Sequence, residues 1–165
     1  MIARRTIRLA MLAVALTGAA AVSAQDPQKR ITPAEVAWPA GASTGTALVG
    51  SSGVSGTQTV TLKGDPTKPG LYALLLRVGP NTKIQAHSHP DDRVATVVSG
   101  DWYFGYGHEF NEAALKLLPP GSFYTEPPGM DHFAMTKATG VVIQITGTGP
   151  SGTTYADPKN DPAKR

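Results

Sequence analysis

Cysteine is absent from the 165 residues. Disulfides, thiolate metal sites, a cysteine nucleophile and a lipid-modified N-terminal cysteine are excluded together. Charge is sparse, at 16% of residues, with 15 Lys plus Arg against 12 Asp plus Glu. Three of the cations, Arg4, Arg5 and Arg8, stand in the first eight positions, and no acid precedes Asp26. From Gln25 onward 12 basic residues meet 12 acidic ones, so the body is neutral despite a pI near 9.3. That body holds no cluster of Lys and Arg to bind nucleic acid. Beyond residue 40 no segment shows helical periodicity and no repeat is visible. Neither paired carboxylates for acid–base work nor a Ser-His-Asp spacing is present.

What the sequence does contain begins with an export signal. A basic start precedes an uncharged stretch, 9–22, and then Val22-Ser23-Ala24. Small residues at the positions a signal peptidase reads predict cleavage after Ala24. The stretch is 14 residues long, short of the roughly 20 of a membrane span, which predicts no membrane anchor and a periplasmic or secreted protein. Residues 25–46 read as an N-terminal arm. Within it, Thr32, Pro33 and Glu35 carry the cap, first-position proline and third-position glutamate of a short helical turn that Pro39 ends.

Glycine and proline, 18 and 14 residues, punctuate the rest. Interleaved with Val and Thr, they mark short strands and turns. Strands are expected at 57–63, 71–78, 82–89, 93–99, 101–106, 113–118, 122–126, 132–137 and 141–146. The 71–78 run is almost wholly apolar and is expected to be buried on both faces. The whole implies one all-β domain, a sandwich or barrel over 47–149, with a tail, 150–165, that Tyr155 pins and whose last eight residues are loose.

Histidines stand at 87, 89, 108 and 132. On a strand, His87 and His89 share a face, their Cβ atoms roughly 6–7 Å apart. Together with His132, which opens another strand, they form a candidate site for a divalent transition metal with open positions. Neutral imidazole suits Fe, Mn, Zn, Ni or Cu alike. Gln85 shares the parity of His87 and is the candidate fourth ligand. His108 lies in a loop and reads as a bystander. Asp91 and Asp92 either back the histidines or make the turn after Pro90. Trp102, Tyr103, Phe104 and Phe123 read as core or pocket wall, with Tyr103 and Phe123 also candidates for substrate contact. Tyr124 and Glu126 are candidate proton carriers whose direction parity leaves open.

These residues reach a known family. Gly79, His87-Ser88-His89 and Gly100 resemble the first cupin motif; Gly121, Pro127, Gly129 and His132 resemble the second. The likeness spans 47–148, and the stretches His89-Pro90-Asp91-Asp92 and Gly147-Thr148-Gly149-Pro150 resemble a group of exported bacterial cupins. It implies a double-stranded β-helix, jelly-roll-like barrel, a homodimer, and a metal held by His87, His89 and His132 in the barrel mouth. The chain departs from the pattern twice. Arg93 stands where a cupin usually places a Glu ligand, and Thr136 where it usually has Asn. Arg93 therefore either pairs with Asp91, Asp92 or Asp101 or reaches the pocket and favours a small anionic ligand. The resemblance implies oxygenase, isomerase or lyase activity, with a non-catalytic binding module or a degenerate structural barrel as the alternatives.

Overall fold

The computed structural model describes residues 27–40, 49 and 51–164. The 1–24 segment expected to be an export signal and most of the 41–50 stretch lie outside them. Ten strands are present: β1 Thr57–Lys63, β2 Gly70–Val78, β3 Lys83–Ser88, β4 Arg93–Gly100, β5 Trp102–Tyr106, β6 Lys116–Leu118, β7 Phe123–Glu126, β8 His132–Met135, β9 Val141–Gly149 and β10 Thr154–Tyr155. They form two five-stranded antiparallel sheets in the orders β1-β2-β9-β4-β7 and β10-β3-β8-β5-β6. This is an all-β sandwich, as the turn spacing implies, in the jelly-roll form that the cupin resemblance implies. Among the described residues no helix is long and apolar enough to cross a membrane. The Thr32–Glu35 cap closes one 3-10 turn, Pro33–Glu35, where the Glu35 carboxylate accepts from the Thr32 backbone N–H and hydroxyl.

Alternation decides what each strand buries. Leu74, Leu76 and Val78 of β2, Ala95 and Val97 of β4, and Ile143 and Ile145 of β9 point inward and pack with Trp102, Phe104 and Tyr124. Side chains of this kind each stabilise the fold by about 1.5–3 kcal/mol when fully buried. The 71–78 run is not buried on both faces as expected: its outward residues are only half-buried, and Leu71 is exposed. Within the described residues that face is partly covered by the arm, where Trp38 stacks on Arg77, Gln58 reaches the Pro39 carbonyl, and Lys29 reaches that of Leu62.

Three local features shape the two ends of the barrel, two at the histidine end and one, at Thr136, at the opposite end. A bulge in β3 opens between Ile84, paired with Ala134, and His87, paired with His132. It lets Ile84 and His87 both face inward although they are three residues apart. Thr136, in place of the family's Asn, is fully buried and acts as a clamp. Its hydroxyl donates to the Gly79 carbonyl and accepts from the Thr82 N–H. Finally, the segment read as a tail contributes β10, which pairs Tyr155 with His87, and the Tyr155 hydroxyl donates to the Ser52 carbonyl.

Candidate metal centre

His87 lies near the end of β3, His89 just past it and His132 at the start of β8, and all three are buried. Their ring centroids form a triangle with sides of 4.4, 5.1 and 5.2 Å. One nitrogen from each comes within 4.8 Å of the other two.

The backbone sets how each ring is protonated. His87 Nδ1 lies 2.7 Å from the Gln85 carbonyl, His89 Nδ1 2.5 Å from that of Gly152, and His132 Nδ1 3.2 Å from that of Met130. A carbonyl only accepts, so each Nδ1 carries the proton and donates it. Each Nε2 is left as a lone pair, the arrangement a metal-binding imidazole needs. Burial keeps the rings neutral. It pushes His87 down to about 3, with the neighbouring His132 adding to the effect, and it lowers His89 and His132 as well. His89 Nε2 is buried and has no hydrogen-bond partner. A buried polar atom without a partner is costly, and this one faces the other two rings. The donor set therefore suits a divalent transition metal on chemical grounds, as neutral nitrogen ligands with fixed tautomers.

Of the two sequence expectations for Arg93 the inward one holds: the side chain reaches the pocket beside His87 and His132, but there it meets a carboxylate and does not present a free cation to a ligand. It is buried, and its Nε donates to Glu126 Oε2 at 2.8 Å while its Nη2 grips the same oxygen. The two are direct cross-strand partners on β4 and β7, both pointing into the barrel. Glu126 Oε2 also lies 3.7 Å from His89 Nε2 and 3.7 Å from His132 Nε2. Burial works to raise the Glu126 pKa, but the Arg93 guanidinium outweighs it and holds it well below the usual carboxylate range. Burial opposes the Arg93 charge, and Glu126 more than restores it.

Asp91 is turned away from the histidines and accepts from the Tyr72 hydroxyl at 2.6 Å. This pair fits because position 147 is glycine: a Cβ there would lie 2.6 Å from the Tyr72 oxygen and 2.9 Å from Asp91 Oδ2.

Gln85 is not at the site. The β3 bulge breaks its parity with His87, and it lines an outer groove with Lys83, His108 and Asp157. Tyr103 also faces outward, under the Lys137 ammonium, and Phe123 is 61% exposed. Trp102 and Phe104 are buried, as core or wall. His108 is remote and pairs with Asp131 at 2.6 Å. Sequence reasoning undervalued Glu126. Its signal was an acid sharing strand parity with the aromatic Tyr124, in a chain whose other barrel motif carried an unexplained Arg.

Two spaces adjoin the centre. Beside the histidines is a cavity of about 20 Å³, bounded by Ser51, Ser52, Glu126, Phe104 and Tyr124. That is room for roughly one water. Between β5–β6 and β7 a lateral cleft of about 400 Å³ opens, lined by Phe104, Tyr106, Leu118, Phe123 and Tyr124 with Lys116. Phe104 and Tyr124 line both spaces, with ring centroids 4.3 Å apart, and Phe104 stacks on His132.

No family model matches the sequence, and no curated protein matches it. Solved structures do resemble it. The polyketide cyclase RemF from Streptomyces resistomycificus is 16% identical over 84% of this chain and 92% of that one, with a TM-score of 0.61. The DMSP lyase DddQ from Ruegeria pomeroyi is 16% identical over 59% and 50%, with a TM-score of 0.51. An RmlC-like cupin from Shewanella frigidimarina is 22% identical over 56% and 76%, at 0.46. The chain spans about half the length of the DMSP lyase chains it matches. At these identities the likeness is one of fold.

Proposed function

For a chain that carries the cupin fold, with three buried imidazoles converging on one point, we propose an exported, divalent-metal-dependent enzyme acting on a small molecule. One observation carries the reading: three Nδ1 protons are tied to backbone carbonyls, which leaves three Nε2 lone pairs for one cation. His87, His89 and His132 would hold the metal, which would supply Lewis acidity or redox chemistry to an oxygen-bearing substrate. The reaction class is that of an oxygenase, isomerase or lyase. Export rests on the 1–24 segment and predicts a mature N-terminus at Gln25.

The chain's own residues narrow the substrate. Arg93 is neutralised by Glu126, so the free guanidinium that argued for an anionic ligand is missing. The cleft on the far side of Phe104 and Tyr124 from the centre is aromatic and apolar, which favours a molecule with an apolar body. Phe104 and Tyr124 separate that cleft from the histidines and must swing aside for a substrate to reach them. Tyr124, its phenol held protonated chiefly by burial, keeps an O–H to donate there. The closed 20 Å³ cavity supports a second reading, a binding module that holds metal without turnover.

Elemental analysis of protein taken from its native compartment tests the metal. About one equivalent of a transition metal is expected, lost when His87, His89 or His132 becomes Ala; a metal-free wild type that takes up none on dialysis overturns the reading. Phe104→Ala separates the two forms: faster metal exchange and ligand uptake are expected of an enzyme, and no change favours the binding module.

A further inference from the structure

We propose that Glu126 is the anionic ligand of this centre and that Arg93 is its positioning residue, so that the site's carboxylate is delivered from β7 and not from β4. The inference rests on the three-histidine reading above. Three neutral imidazoles give a divalent cation no countercharge. A divalent cation beside the Arg93 guanidinium would set three positive charges in a buried pocket, against which Glu126 and Asp91 are the buried carboxylates at hand. Bringing that much charge out of water is strongly unfavourable without a compensating anion. Glu126 is the carboxylate whose oxygen lies 3.7 Å from two of the three Nε2 atoms. Ligands on one transition metal, with bonds of about 2.0–2.2 Å, stand roughly 3–3.5 Å apart. Oε2 therefore stands a few tenths of an ångström beyond ligand spacing from His89 Nε2 and His132 Nε2, and contraction of the three-histidine cluster about a cation would bring it to the His87 side as well.

The backbone explains how the carboxylate can come from the other strand. Arg93 and Glu126 are register partners with both side chains inward, so a charge at either position reaches the same space. On its other side Arg93 pairs with Gly147, over which the Tyr72–Asp91 pair sits, and its Nε and Nη2 both grip Glu126. That grip fixes the carboxylate rotamer. Arginine at 93 is then the complement of a relocated ligand, not the mark of a decayed site.

The test is titration of the metal-free mature chain with Co²⁺, read by calorimetry and by the Co²⁺ absorption spectrum. Glu126→Gln keeps an oxygen for Arg93 to bond, so the fold should hold; affinity should drop about tenfold or more and the spectrum should shift as an oxygen ligand is lost. The exchange R93E/E126R puts the carboxylate on β4 and should recover affinity to within about tenfold of wild type. Arg93→Lys keeps the charge without the fork; it should shift the spectrum while leaving the unfolding midpoint nearly unchanged, which a structural role alone would not do. A Glu126→Gln variant with wild-type affinity and spectrum overturns the proposal, leaving Glu126 as a counter-ion of Arg93. His132→Ala separates the layers: if it loses Co²⁺ while Glu126→Gln does not, only this inference falls. If wild type binds no Co²⁺, the histidine reading falls with it.

Discussion

Toward one end of the barrel interior, Leu76, Val97, Ile143 and Trp102 fill the space between the sheets. At the other, the same strands β4, β7 and β9 meet in a row of Arg93, Glu126 and Gly147, with Tyr72, Asp91 and the three histidines around them. Both ends are buried to a similar degree, Ile143 at 0% and His89 at 2% exposure. Equal burial has opposite consequences. At the apolar end removal from water is itself the stabilising term. At the polar end it is a cost, offset only because most groups find partners. His89 Nε2 and Asp91 Oδ1 do not. The first of these sits among the other imidazoles, where a bound ligand would complete it.

Four changes probe that contrast, in falling order of effect. Arg93→Glu should be the most damaging, since it sets two carboxylates side by side in the barrel. Breaking a buried ion pair costs about 3–5 kcal/mol, so a large drop in denaturant midpoint is expected, with recovery when Glu126→Arg is added. A midpoint within error of wild type would mean the polar end is solvated and the contrast is false.

Ile143→Ala should cost about 2–5 kcal/mol through the cavity it leaves, while metal content stays at the wild-type level. Loss of metal from this variant would show that the two ends are not independent.

Acid should act on the polar end alone. His87 is held down to about 3 in the folded chain against a model-peptide value of 6.5. Between those values the unfolded chain binds the proton and the folded one does not. The metal-free protein should therefore be stable above pH 6.5 and lose about 1.4 kcal/mol per pH unit for this histidine as pH falls toward 3. His89 and His132 shift in the same direction. Glu126 also loses its contribution as pH falls, at the acid extreme. Chemical denaturation at several pH values reads the slope; a flat profile from pH 7 to 4 would contradict the buried neutral state.

His108→Ala should do least. The ring is exposed and its pair with Asp131 lies at the surface, where such pairs are worth about 0–1 kcal/mol. Unchanged metal binding and a nearly unchanged midpoint are expected by calorimetry, and metal loss here would mean that the centre has been misplaced.

Much of this architecture could be read directly. Strand positions followed from Gly and Pro punctuation to within a residue or two for most strands, because turn chemistry is local. His87 and His89 were legible as a pair because a two-residue spacing survives on any extended strand. Gln85 was misplaced by the same rule, since a bulge inserts one residue and reverses parity beyond it. The bulge is visible only when β8 is laid alongside β3.

The order of residues along this chain was enough to determine an all-β domain, its turns and a triad of imidazoles suited to a metal. The partnership of Arg93 with Glu126 was decided by tertiary structure. They are 33 residues apart, and no local periodicity links them. Their meeting depends on the register between β4 and β7, which the packing of both sheets sets as a whole. The identity of the fourth metal-facing group depends on that register too, because strand order determines which side chains share a space and local sequence determines only which way each one points.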